Sequence, residues 1–228
     1  MPQAKKQDNL IPVDEARQKL VDLLTPKNLK GFVEKPVPLD VFIYSKDYLG
    51  CSPLSKVQYD FVEAASNIFN IHTFIECIAM IAQGGGNNFI ACVSLARIIY
   101  QLECLNSPQY YFSLQPNAFI EVMNVSVNAR QAQLNFFQPF KQLIKNSPYF
   151  KKLGFNETRD TVIFPKNIRA ISGNSEQEGL EGFTLIAVVF DEIAGFPISD
   201  DISGSAIISQ RDAKSLYNGL RSSTLRFP

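Results

Sequence analysis

The feature that most restricts how this chain can fold is the run Leu185-Ile-Ala-Val-Val-Phe190, six apolar residues closed by two adjacent carboxylates, Asp191 and Glu192. With β-branched Val188 and Val189 at its centre, the run predicts a strand covered on both faces, of the kind found inside a parallel sheet. Asp191 and Glu192 then fall at its carboxyl end, where open α/β sheets place ligands. An Asp there can hold Mg²⁺ while the next carboxylate orients or deprotonates a water. Taken alone, the same run is equally a core strand leading into an acidic turn.

A second stretch bears on that choice. Residues 71–82 are rich in Ile and predict a strand, Gln83-Gly84-Gly85-Gly86-Asn87-Asn88 follows, and residues 89–104 predict a helix apolar on nearly every side. Strand, glycine loop and buried helix are the parts of a phosphate-binding loop. Glycines let backbone N–H groups turn inward as an anion nest, and the helix N-terminus adds partial positive charge. The side chains depart from the standard pattern, which continues Gly-Lys-Ser/Thr; here Asn87 and Asn88 occupy those places. The alternative is a glycine-rich turn with no ligand.

Composition excludes several classes of function. A chain of 228 residues that is 46% hydrophobic can bury a substantial core. Lys plus Arg and Asp plus Glu both total 22, so contact with nucleic acid has to use a local patch. Cys51, Cys77, Cys92 and Cys104 show no C-x-x-C spacing, and His72 is the only histidine, which argues against a disulfide scaffold, a zinc site and a His-based triad. No stretch approaches the ~18 apolar residues of a membrane span, so a soluble, intracellular protein is expected.

In chain order, residues 1–50 read as a Pro-punctuated arm with one amphipathic helix at 13–24. Ser52-Pro53 predicts an N-cap and first helical residue, with Gln58 near the helix start on its less apolar side. Residues 118–127 predict a strand, Asn128 an N-cap, and the following helix should kink or divide at Pro139 and end at Ser147-Pro148. Short strands are expected at 161–164 and 168–171, then a polar loop feeding the Asp191 strand, and a final helix over 205–220.

The ordered set of Pro53-Leu-Ser-Lys-Val-Gln58, Gln83-Gly-Gly-Gly-Asn-Asn88, Val125-Ser-Val-Asn-Ala-Arg130, Ile171-Ser-Gly-Asn-Ser175, Val188-Val-Phe-Asp-Glu192 and Leu220-Arg-Ser-Ser223 resembles the large terminase subunit of tailed bacteriophages over about residues 40–228. That resemblance implies a RecA-like ASCE P-loop NTPase fold, an α/β domain with a central, mostly parallel sheet and helices on both faces. It implies an arm over 1–50 and an ATPase domain over 51–228 that is incomplete at its C-terminus, with the nuclease domain absent. It further implies ATP and Mg²⁺ as cofactors, Gln58 recognising adenine, the stretch from Gln83 through Gly84, Gly85, Gly86, Asn87 and Asn88 holding phosphates, Asp191 on a Walker B strand binding Mg²⁺, and Glu192 positioning the attacking water. The expected activity is the motor that drives double-stranded DNA into a procapsid in the host cytoplasm. Its expected partners are the portal protein, the small terminase subunit and further copies in a ring, where Arg130, ahead of Arg221, is the candidate finger completing a neighbouring site. The loop's two expected cations are absent in Gln83 and Asn87, so the alternative is a nucleotide-binding or structural relative with little or no hydrolysis.

Overall fold

A computed structural model describes residues 31–69, 76–80, 85–174, 182–192, 195–196, 213–225 and 227. Its centre is a five-stranded sheet in the order β2-β3-β4-β1-β5, made of β1 (Ile120–Ser126), β2 (Asn156–Glu157), β3 (Thr161–Phe164), β4 (Ile168–Asn174) and β5 (Leu185–Phe190). β1 is buried along its whole length and runs parallel to β4 on one side and β5 on the other. β2 and β3 extend the β4 side antiparallel. The β3-β4 hairpin turns at Lys166 and Asn167, both at φ 55°, the left-handed pair that a type I′ turn requires.

Helices cover both faces, and two short ones, α1 (Leu39–Tyr44) and α4 (Pro108–Tyr111), pack against the larger core. Ile120, Val122, Ile168 and Ala170 on one face join a core with α3 (Asn87–Cys104), α6 (Gln138–Asn146) and α7 (Pro148–Leu153). On the other face Met123, Val125, Ile171 and Leu185 pack with Phe196 and with Leu216 and Leu220 of α8 (Ala213–Thr224). α3 buries 14 of its 18 residues, which is why its sequence shows no polar stripe. Ile99, Tyr100 and Leu102 are fully buried on it, each contributing about 1.5–3 kcal/mol. At its C-terminus Lys166 donates to the Leu105 carbonyl at 2.6 Å, a cation on the negative end of the helix dipole. Glu103 lies nearby, 4% exposed, facing Lys166 Nζ at 3.9 Å; burial pushes its carboxyl up to about 8, against the opposing pull of Lys166.

Several sequence expectations are corrected. Residues 76–80, inside the predicted loop strand, form no strand; Ile78 and Met80 are 83% and 96% exposed. Glu76 instead docks on α8, accepting from Tyr217 Oη and pairing with Arg221 Nε at 3.0 Å. β5 has a strand partner on one side only among the described residues, so most of it is half-buried instead of enclosed. The helix expected from Ser52 is α2 (Lys56–Ser66), because Ser55 and Gln58 form a capping box that satisfies two orphan N–H groups. The Pro139 helix begins as α5 (Ala129–Gln131) under an Asn128 cap and runs through a π-helical turn at Ala132–Phe137 before α6. The missing N–H of Pro139 is thus accommodated by widening the preceding turn. Ser147 ends α6 and also caps α7, its hydroxyl accepting from Phe150 N at 3.4 Å. The expected helix at 13–24 lies outside the described residues. The final helix begins at Ala213, and the expected residues 205–212 lie outside them too.

Candidate functional site

The glycine loop enters α3 through Gly86, which serves as N-cap at φ 79° and ψ 26° with no side chain capping the helix. Only glycine takes that left-handed geometry without strain. The Gly86 carbonyl already accepts from Ile90 N at 3.0 Å, so the helix is wound from its first residue. Its leading N–H groups, on Asn87, Asn88 and Phe89, are therefore the ones a helix cannot satisfy internally, and they carry the positive end of the dipole. Gln83 and Gly84 lie outside the described residues. Asn87 is exposed, whereas Asn88 donates from Nδ2 to the Asn135 carbonyl of the π-turn at 3.2 Å.

Gln58 reaches the loop from α2. Its Oε1 accepts from Ser55 N at 2.9 Å and its Nε2 donates to the Gly85 carbonyl at 3.0 Å, so both ends of the amide are in use. The contact is with the loop backbone.

The same sheet edge carries the carboxylates. β1 and β5 run parallel, so their carboxyl ends lie together, and Asp191 N donates to the Val125 carbonyl at 2.9 Å. Asp191 is 6% exposed, and burial, with a further contribution from Glu192, holds its carboxyl above the usual range. Burial pushes the Cys92 thiol up to about 12 and the charge of Asp191 adds to this, so the second turn of the loop helix lies within electrostatic reach of the end of β5. Glu192 is exposed and held at φ 54°, a left-handed conformation that a non-glycine residue adopts at a cost of about 1–3 kcal/mol. Its carbonyl accepts from Gly195 N at 2.8 Å, and Gly195 itself sits so close to Val127 that a Cβ would lie 3.3 Å from Cγ2. Two adjacent carboxylates, one of them buried and disfavoured as an anion, are a donor set that a divalent cation would stabilise.

Arg130 is exposed on α5, directly after β1, and joins no ion pair among the described residues. Arg221, by contrast, is bound to Glu76. Sequence reasoning missed how the π-turn is held: Asn88 and Cys92 of α3 and Asn124 of β1 bond the carbonyls of Asn135, Phe136 and Ala132. It also missed the pair of buried Glu121 and half-buried Arg169, in which Glu121 Oε2 accepts from Thr184 N at 2.6 Å and so fixes the entry to β5. The polar residues Glu121, Asn124 and Ser126 in an otherwise apolar strand were the available signal. A cavity of about 480 Å³ lined by Gln133, Asp160, Arg169, Ser172 and Phe183 lies beside β4.

A glycine loop opening a buried helix beside a sheet whose neighbouring strands β4, β1 and β5 run parallel, with helices on both faces, fits an α/β RecA-like P-loop fold. The chain belongs to the family described as "Uncharacterized protein MJ0330, N-terminal P-loop domain", which matches residues 17–228. Among solved structures it is similar to "Crystal structure of the HK97 bacteriophage large terminase", at 14% identity and a TM-score of 0.55. The likeness covers 83% of this chain and 35% of that one, so the chain spans about a third of the terminase. No curated protein matches.

Proposed function

We propose that this chain is the nucleotide-binding motor domain of a terminase-type machine that acts on double-stranded DNA, binding Mg-ATP at the glycine loop and hydrolysing it slowly. The observation that carries this reading is the uncapped N-terminus of α3 at Gly86 on the sheet edge that also bears Asp191 and Glu192. In this reading the N–H groups of Gly86, Asn87 and Asn88 cradle the phosphates. Asp191 holds Mg²⁺, which when bound neutralises charge on the transferring phosphoryl group. Glu192 orients water from its left-handed position, and Arg130, exposed and unpaired with any described acid, serves a neighbouring copy.

Slow hydrolysis follows from Asn87 and Asn88. Asn87 offers a neutral amide on a short stem where a working loop supplies an ammonium, so it neither reaches nor neutralises the γ-phosphate. Asn88 is bonded to Asn135 and supplies no hydroxyl to a metal. Binding through backbone groups survives both changes. The test is Mg-ATP binding and single-turnover hydrolysis by the full-length protein and its Asn87→Lys variant. Retained binding, with turnover raised by about 10² to 10³ in Asn87→Lys, is expected. Robust turnover by the unaltered protein with no gain in the variant would show that another residue supplies the charge.

A further inference from the structure

We infer that Gln58 is a positioning residue for the phosphate loop, so that its contribution to binding is made through the polyphosphate and is the same for every base. The inference rests on the nucleotide site proposed above. Gln58 Oε1 accepts from Ser55 N at 2.9 Å and its Nε2 donates to the Gly85 carbonyl at 3.0 Å. One bond at each end of the planar amide fixes its orientation and ties the loop to the start of α2. The bond to Gly85 also has a directional consequence. Across a planar trans peptide, C=O and N–H point in opposite directions, so a Gly85 carbonyl turned toward Gln58 turns the Gly86 N–H away from α2. That keeps a carbonyl dipole out of the anion nest and puts a donor into it. The fit is close, since a Cβ on Gly86 would stand 3.3 Å from Gln58 Nε2. Ser55 holds Gln58 through both halves of the capping box, so the loop peptide is referenced to the first turn of α2.

The test uses the full-length protein, its Gln58→Ala, Gln58→Glu and Ser55→Ala variants, and three ligands with Mg²⁺: ATP, GTP and inorganic tripolyphosphate. Gln58→Ala should weaken all three by one common factor of about 3- to 10-fold, the worth of one hydrogen bond. Gln58→Glu keeps the acceptor for Ser55 N but has no donor for Gly85, and should match or exceed that loss. Ser55→Ala loses only the hydroxyl that accepts from Gln58 N and keeps the backbone N–H that holds Gln58 Oε1, so it should lower the melting temperature while leaving the three affinities in place, which separates the loop contact from the cap. Without any ligand, amide hydrogen exchange at Ile90, whose N–H donates to the Gly86 carbonyl at 3.0 Å, should speed up by a similar factor in Gln58→Ala. Loss of ATP affinity with GTP and tripolyphosphate spared would overturn the inference in favour of base reading; so would unchanged exchange at Ile90. If the unaltered protein binds none of the three ligands, the proposed function fails, and the exchange measurement still decides the role of Gln58.

Discussion

Gly86→Ala is the substitution for which the structure gives the most specific expectation. At φ 79° and ψ 26° an L-residue meets its own carbonyl, at a cost of about 1–2 kcal/mol. The added Cβ would stand 3.3 Å from Gln58 Nε2, tight enough to displace the bond to Gly85, worth a further ~0.5–1.5 kcal/mol. The sum, about 2–3 kcal/mol, should lower the melting temperature by roughly 4–10 °C in a domain of this size. Gly154→Ala is the internal control: its φ is 83°, but a Cβ there meets nothing within 4 Å, so it should show strain alone and no effect at the loop. The assay is thermal unfolding of the two variants together with equilibrium binding of Mg-ATP. Gly86→Ala should lose both stability and affinity, Gly154→Ala stability only. Unchanged melting and binding in Gly86→Ala would mean that the left-handed cap is not the conformation the loop holds in solution.

Two further outcomes follow from the buried acids. Asp191→Asn should abolish the Mg²⁺ dependence of nucleotide binding yet raise the melting temperature at neutral pH, because it removes a carboxylate whose charged form is opposed by burial and by Glu192; a lower melting temperature would count against that reading. Glu103, raised from 4.5 to about 8 in the folded chain, binds its proton more tightly folded than unfolded, so its contribution is present below about pH 4.5 and is lost as pH rises through about 8. Melting temperatures measured from pH 5 to 9 should therefore fall less steeply in Glu103→Gln, and parallel curves for the two proteins would refute the assignment.

Much of the sheet could be read from the chain, because β5 is an unbroken apolar run, β1 and β3 are rich in β-branched residues, and α3 is apolar on nearly every side. What failed has a common cause. Residues 76–80, part of the Ile-rich run at 71–82, have no pairing partner in the described sheet, and pairing is a tertiary property that local pattern does not encode. Ser52-Pro53 and Ser55-x-x-Gln58 are both start signals; the second prevailed because it satisfies two backbone donors at once. Pro139 correctly announced a disturbance, although a kink and a widened turn are indistinguishable in sequence. Within the site, glycines and carboxylates were visible as residue types, while the proximity of Asp191 to the second turn of α3, the double commitment of Gln58 and the tie from Asn88 to Asn135 arise only when remote segments meet.

The π-turn at Ala132–Phe137 has a geometric meaning beyond accommodating Pro139. It is a stretch of helix carrying one residue more than the regular pitch accepts, clamped through the carbonyls of Ala132, Asn135 and Phe136 by side chains from the loop helix and from β1. Deleting that surplus residue would rewind the segment to 3.6 residues per turn and leave α5 and α6 close to their present bearing, because the wide turn spends an extra residue on the same rotation. Arg130 therefore keeps the bearing a regular helix would give it, and the clamp that holds the extra residue is fastened at one end to Asn88 in the first turn behind the glycine loop.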